Sequence, residues 1–151
     1  MAQVGIRNGE IPENAEGVVV AGEINLESLL RSMAPALTGG EYVFCTLENS
    51  KYGDYADTRP IASFTETEGL TLVLLRDDAE RAGLSYEGIF RCITLGVHSS
   101  LEAVGLTAAV AGKLANHGIA ANVIAAYFHD HIFVQSDFAE RAIGILSAHN
   151  N

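Results

Sequence analysis

The run AVGLTAAVAGKLANHG carries the clearest hydrophobic period in the chain. Leu106, Val110 and Leu114 lie four residues apart, which puts them on one side of a helix. Gly118 follows the last apolar position. It predicts the end of this helix, because glycine readily adopts the left-handed conformation found just after a helix.

The segments on either side of this helix predict strands and one more helix. Residues 88–97 form an apolar strand pattern, and ANVIAAY and HIFVQ are short runs rich in strand formers. A second amphipathic run, DFAERAIGILSAH, covers residues 137–149. The order from 88 to 148 is therefore β-α-β-β-α. One more strand would complete a βαββαβ unit, but the strand expected after residue 148 is missing.

The first half repeats this pattern in a reduced form. The run NLESLLRSMAPAL has apolar residues at helical spacing, Asn25 is a candidate N-cap and Pro35 falls near its end. The run GVVVAG before it predicts a short strand, and EYVFCTL predicts another. Residues 41–97 read β-β-β-α-β, which is a similar unit whose first helix has become a loop.

These patterns predict an α+β protein built from two ferredoxin-like βαββαβ units. We expect a loose leader at residues 1–16, a first unit at 17–86 and a second at 87–149. The strand at 88–95 either closes the first unit while opening the second, or neighbouring strands merge the units into one sheet.

Composition narrows the class of partner. The chain has 151 residues and a net charge of −10, from 9 Lys and Arg against 19 Asp and Glu. Such a surface repels phosphate backbones and anionic lipid headgroups, so nucleic acids and membranes are poor partners. Cys45 and Cys92 each sit in an apolar run, which predicts buried, reduced thiols. The N-terminal residues lack a secretory pattern, and we expect a cytoplasmic protein.

The triplet His129-Asp130-His131 is the densest group of polar side chains, and three interpretations remain open. Alternate residues of a strand point the same way, so the two imidazoles could bind a metal; a third ligand such as His98 or His117 has no matching spacing. A catalytic dyad needs a third group to orient it. The simplest alternative is a tight turn in which the aspartate bonds its own backbone.

Three stretches resemble the ACT domain, a small regulatory module that binds amino acids. VGLTAAVAGKLANHGIAANVI is similar to the small-residue helix, glycine stop and second strand of the family. YFHDHIFV resembles its hairpin, and EYVFCTL resembles the first strand of the leading unit. The resemblance covers residues 25–148 and is strongest to bacterial tandem-ACT proteins and to the ACT pairs of eukaryotic arginine sensors.

One position departs from the family pattern. Many ACT domains have Asp followed by Pro-Gly before the first helix, whereas this chain reads His98-Ser99-Ser100. That change removes a charge and a turn-former from a ligand-facing loop. Ser99 and Glu102 instead have the spacing of a capping box, which predicts that Ser99 caps the following helix.

The resemblance also implies a ligand site. The hairpin aspartate, here Asp130, accepts the amine of the ligand, and the backbone just before it helps to hold the ligand. The N–H groups at the start of the helix suit the ligand carboxylate. A glycine there either lets the ligand approach or packs against a neighbouring element. The residues so implied are Ser100, Val104, Gly105, Leu106, Ala126, Tyr127 and Asp130.

The sequence therefore predicts a sensor that binds an amino acid between ACT units, with no enzymatic activity of its own, no metal and no cofactor. It also predicts a homodimer, formed through sheet edges or helices, because a missing last strand leaves an open edge. The rival predictions are a metal-binding protein or enzyme that uses His129 and His131, and a structural dimer without a ligand.

Overall fold

The structure is a computed structural model, and it describes residues 21–148. The strands are β1 (Pro35–Leu37), β2 (Tyr42–Leu47), β3 (Ala62–Glu66), β4 (Gly69–Leu75), β5 (Phe90–Leu95), β6 (Asn122–Ala125) and β7 (Asp130–Gln135). The helices are α1 (Leu26–Arg31), α2 (Arg76–Arg81), α3 (Leu106–Ala115) and α4 (Ala139–Ser147). Single 3-10 turns lie at Ala56–Thr58 and Ser136–Phe138.

All seven strands belong to one antiparallel sheet in the order β3-β4-β2-β5-β7-β6, with β1 beside β5. Strand β5 pairs with β7 along one edge. Along its other edge it meets β2 at Phe90 and β1 at Ile93 to Leu95. Two four-stranded units therefore share this strand, β5-β2-β4-β3 and β1-β5-β7-β6. The strand predicted at 88–95 is thus β5, which lies in both units within one sheet.

Strand β1 corrects the prediction for residues 25–37. Asn25 caps α1 as expected, since its side chain accepts a hydrogen bond from the Ser28 N–H at 2.9 Å. The helix ends at Arg31, however, and Pro35 begins a strand instead of ending a helix. Ala34 between them has a left-handed φ of 41°, which turns the chain away from the helix axis.

Strand β1 also occupies the position in the sheet where a strand was expected after residue 148. Its Pro35 pairs with Leu95, so this early segment fills the place of the missing last strand of the second unit. A segment assigned to the first unit, 17–86, thus contributes to the sheet of the second. Residues 17–20 of the predicted GVVVAG strand lie outside the described residues.

The two sides of the sheet differ in what covers them. On one side, which we call the helix face, Ile93 and Ile132 pack with α3 and α4, and Val43 and Leu74 pack with α2. The other side, which we call the open face, has no helix packed on it among the described residues. The prediction of an antiparallel α+β fold with helices on one face is therefore confirmed.

Both thiols are free and buried, as predicted. Cys45 lies on the helix face and Cys92 on the open face. Burial raises the pKa of each thiol above its usual value. Neither cysteine is therefore a ready nucleophile.

Candidate functional site

The predicted site lies where β5 ends and β7 begins. Asp130 is the first residue of β7 and pairs with Ala125, and the hairpin before it closes through a hydrogen bond from the Ala126 N–H to the His129 carbonyl at 3.1 Å. Tyr127 and Phe128 form the hairpin tip. The prediction that Asp130 lies in the turn and bonds its own backbone is therefore wrong, because strand pairing begins one residue earlier than the polar triplet suggests.

Asp130 is buried, and a neutral hydroxyl donates a hydrogen bond to it. Its side chain is only 7 % exposed, and Oδ2 accepts a hydrogen bond from the buried Ser99 hydroxyl at 3.3 Å. Among residues 21–148, Asp78 is the other buried charged side chain, and it pairs with Arg59 and Arg81. None of the ion pairs in this range includes Asp130. A buried carboxylate without a cation is costly, which distinguishes Asp130 from Asp78 among the described residues.

Ser99 is held in place by the segment that precedes α1. The Glu23 N–H donates to the His98 carbonyl at 2.9 Å, and the Ser100 N–H donates to the Glu23 carbonyl at 2.9 Å. A Cβ on Gly22 would lie 2.4 Å from the Ser100 nitrogen, so only glycine fits there. Ser99 therefore faces Asp130 and does not cap a helix, and the predicted capping box with Glu102 is wrong.

Helix α3 begins at Leu106, with Gly105 as N-cap and no side-chain hydrogen bond to its first turn. The N–H groups of this turn are thus free of a side-chain cap, as an anion site requires. Gly105 has a φ of 103°, and a Cβ there would lie 3.0 Å from Leu26 Cδ2. Of the two roles considered for this glycine, packing against a neighbouring element has direct support.

The loop after β5 and the hairpin tip meet through aromatic rings. The His98 ring centroid lies 4.8 Å from that of Phe128 and 6.3 Å from that of Tyr127. Tyr127 and Phe128 are each half exposed, and Val104 is 83 % exposed. Sequence reasoning missed Phe128. The pairing of β5 with β7 could have indicated Phe128, because it brings the residues after β5 beside those before β7.

All seven predicted site residues lie in the second unit. Strand β2 of the first unit meets β5 at Phe90, five residues before Leu95, and at about 3.3 Å per residue that is roughly 17 Å from the site end of β5. The strands of the first unit therefore do not face the site. The part of the first unit that does border the site is the segment from Gly22 to Leu26, which lies against Ser100 and Gly105.

The two histidines of the triplet have separate partners. His129 Nδ1 lies 3.2 Å from the Val97 carbonyl, and His131 Nδ1 lies 2.9 Å from Thr94 Oγ1 on the open face. Residues 21–148 contain no group of three or more His, Cys, Asp or Glu side chains that could hold a metal ion. The geometry therefore gives no support to a metal centre at this triplet.

The surroundings of His131 predict how the stability of the fold depends on pH. Burial lowers its pKa below the usual 6.5, the charge of His129 lowers it further, and the charge of Asp130 acts in the opposite direction. Below about pH 6.5 the unfolded chain then binds a proton more readily than the folded chain, so acid destabilises the fold. We expect wild type to lose thermal stability more steeply than His131→Gln as the pH falls from 7 towards 5.

Thermal unfolding in a series of buffers, at one protein concentration, measures this difference. His117→Gln is the matched control, because His117 is exposed at the end of α3. Parallel stability curves for wild type and His131→Gln would contradict the prediction.

The larger grooves lie elsewhere. One of about 1090 Å³ runs between α1, β1, α3 and α4, and another of about 410 Å³ lies beside the loop before β3. Neither is lined by any of the seven predicted residues. The larger groove is rimmed by Arg31 and Lys113 and contains no buried charge, and Lys113 already donates to the Ala148 carbonyl at 2.7 Å. The candidate site therefore rests on its buried carboxylate and not on cavity volume.

Comparisons with known proteins agree with the fold. Models of the ACT domain match residues 21–91 and residues 87–148. A protein of unknown function from Vibrio cholerae, described as a possible transport protein, is 58 % identical with a TM-score of 0.73 over 80 % of this chain and 92 % of that one. A protein from Agrobacterium tumefaciens is 20 % identical with a TM-score of 0.63 over 75 % of this chain and 85 % of that one.

The ligand-free regulatory subunit of aspartate kinase from Thermus thermophilus shares the fold. It is 10 % identical with a TM-score of 0.58 over 80 % of this chain and 99 % of that one. No curated protein matches the chain. No helix among residues 21–148 is long and apolar enough to cross a membrane.

The chain is a tandem of two small regulatory α+β domains. They correspond to the two four-stranded units that share β5 and to the two ranges matched by the ACT domain models. The chain belongs to the ACT domain family, which confirms the resemblance found in the sequence. Domains of this family are typically regulatory and bind small ligands.

Proposed function

We propose that this protein is a regulatory sensor that binds an amino acid in its second ACT unit and has no catalytic activity of its own. The observation that carries the proposal is the contrast between the two buried aspartates. Asp78 is neutralised by arginines, whereas within residues 21–148 Asp130 bonds to a serine hydroxyl and to no cation. An ammonium group of a ligand would supply the missing cation.

The rest of the proposed site follows from the two charges of an amino acid. Carbonyl groups at Ala126 and Tyr127, next to Asp130, suit the N–H bonds of the ammonium. The start of α3 and the residues just before it, Val104, Gly105 and Leu106, offer N–H groups and the positive end of the helix dipole to the carboxylate. Ser100, in the loop between β5 and α3, accepts a hydrogen bond from the Glu102 N–H at 3.2 Å, and its hydroxyl hydrogen can still be donated to a ligand.

We also propose that the protein acts in the cytoplasm as a homodimer. Buried, reduced Cys45 and Cys92 fit a reducing compartment. The edge that a missing last strand would leave open is filled by β1, so it offers less support for pairing through that sheet edge. A metal-dependent or enzymatic function of His129 and His131 has no observation in its favour.

A thermal-shift screen of the standard amino acids, each with the full chain, tests the proposal. A ligand at 100 times its dissociation constant stabilises the folded state by about 2.7 kcal/mol, which for a chain of this size raises Tm by roughly 5–10 °C. We expect such a shift for one amino acid or for a small related group.

Derivatives of the same compound make the screen specific. The N-acetylated amino acid lacks the ammonium and the amino-acid amide lacks the carboxylate, so we expect both to bind weakly in a calorimetric titration. A flat response to all the amino acids would overturn the proposed function. Tight binding of the N-acetylated derivative would overturn the role of Asp130 alone.

A further inference from the structure

The open face of the sheet has the composition of a buried surface. In antiparallel strands, directly opposite residues point to the same side, so the pairings define its members. They are Ala36, Tyr42, Phe44, Thr46, Ala62, Phe64, Glu66, Thr71, Val73, Leu75, Phe90, Cys92, Thr94, Asn122, Ile124, His131, Phe133 and Gln135. Among them only Glu66 is an acidic, lysine or arginine residue.

This composition is unusual for a sheet surface that meets water. A sheet with one solvated face shows apolar residues alternating with polar ones. Strand β2, with the sequence YVFCTL, is instead apolar on both faces over its first four residues, and β7 has Phe133 on the open face between Ile132 and Val134 on the helix face. The covered helix face holds Arg91 and Asp130, so the open face carries fewer charges than the face beneath the helices.

The aromatic side chains of the open face cover one another only in part. Phe133 is buried beneath Tyr42 and Phe44, whose ring centroids lie 5.7 Å and 5.4 Å away. Phe64 on the outermost strand is 70 % exposed, and Leu75 is 36 % exposed. An apolar patch of this kind on an otherwise acidic protein is typical of an interaction surface.

The size of the open face suits a dimer. Six strands about 4.8 Å apart and about 18 Å long span roughly 500 Å². Two such faces would bury roughly 1,000 Å² or more, which is near the lower limit of about 1,000–1,200 Å² for specific interfaces.

Charge identifies the partner. Two copies with a net charge of −10 repel each other over most of their surfaces, and a nearly uncharged face is where they meet at the lowest electrostatic cost. Glu66 lies at the end of the edge strand β3, where its carboxylate accepts a hydrogen bond from the Thr71 hydroxyl at 3.0 Å. It would therefore lie at the rim of an interface.

We propose that the open face packs against the same face of a second copy of this chain, sheet on sheet, about a two-fold axis. Packed sheets lie about 10 Å apart, which aromatic side chains from both copies would fill. This interface rests on the homodimer of the proposed function, and it replaces the sheet edges or helices through which the sequence predicted pairing. It leaves the candidate ligand site uncovered, because Asp130 belongs to the helix face.

Sedimentation equilibrium on the full chain tests the proposal. The variants are Phe64→Lys and Thr46→Lys, two exposed open-face positions on different strands, and the control is Thr65→Lys, an exposed position on the opposite side of β3. We expect wild type and Thr65→Lys to be dimers at micromolar concentration. Burying a lysine charge at the interface should raise the dimer dissociation constant of the other two by at least about 100-fold.

The outcomes separate this proposal from the ones it rests on. Circular dichroism checks that each variant is folded. A monomeric wild type, as would follow if residues 1–20 of the same chain covered the face, overturns both the homodimer and the interface. Dimers that persist in both Phe64→Lys and Thr46→Lys overturn the interface and leave the homodimer standing. The amino-acid titrations are unaffected by either result.

Discussion

Asp130→Asn should weaken binding of the amino acid found in the thermal-shift screen by about 30- to 150-fold while leaving the protein folded. Asparagine keeps the size of the side chain and its acceptor for the Ser99 hydroxyl, but it cannot offer a negative charge to an ammonium group. Hydrogen bonds to charged groups contribute about 1.5–3 kcal/mol, and the upper part of that range corresponds to the expected loss of affinity.

The cost to stability should be small, and for a reason that the sequence did not reveal. A turn aspartate would tolerate asparagine because it is exposed, whereas Asp130 is buried. The substitution removes a buried charge that no cation among residues 21–148 neutralises, and this gain offsets a weaker bond to Ser99. We therefore expect the free energy of unfolding to change by less than about 1 kcal/mol.

The matched control is the other buried aspartate. Asp78→Asn removes a charge that Arg59 and Arg81 neutralise, so it should lower stability and leave ligand affinity unchanged. Calorimetric titration and urea unfolding of the two variants should thus give opposite patterns. If Asp130→Asn binds as tightly as wild type, or fails to fold, then Asp130 is a structural residue and the proposed site is wrong.

The fold could be predicted because its signals are local. The four-residue period of Leu106, Val110 and Leu114 gives α3, and all three residues are buried. Gly118 ends that helix with a φ of 73°, and the Ile119 N–H bonds back to the Leu114 carbonyl. Such features depend on neighbours within a few residues, so they can be recognised in a single sequence.

Strand β1 could not be predicted in the same way. Its partner, Leu95, lies 60 residues further along the chain than Pro35, and three residues of strand carry little local pattern. The preceding helical period of α1 also extends up to Met33, which is buried in the same core even though the helix has ended. A buried residue at helical spacing therefore made the helix appear longer than it is.

The misplacement of Asp130 has a similar cause. Aspartate favours turns when only local bonding is considered. In the fold, pairing with Ala125 and the hydroxyl of Ser99, 31 residues away, outweigh that preference, and Tyr127 and Phe128 form the tip instead. The resemblance to ACT domains could suggest the residue, but only the paired strands reveal its burial and its neutral partner.

Phe133→Ala should lower the free energy of unfolding by about 3–5 kcal/mol, as expected for a large side chain removed from a core. Phe133 is fully buried in β7 of the second unit, and its ring makes edge contacts with Tyr42 and Phe44 of the first. Strands β2 and β5 pair at Tyr42 and Phe90, so these ring contacts add to the connection that the shared strand β5 makes between the units. The loss is a large fraction of the 5–15 kcal/mol that typically stabilises a folded protein.

Urea unfolding at one fixed protein concentration measures the effect, because dimer formation adds to apparent stability. Tyr52→Ala removes an aromatic ring that is 82 % exposed, so it should change stability by no more than about 0.5 kcal/mol. Phe133→Leu keeps an apolar side chain but loses the edge contacts, each worth about 0.5–1.5 kcal/mol, and should fall between the two. If Phe133→Ala is as stable as Tyr52→Ala, the connection between the two units does not depend on this ring.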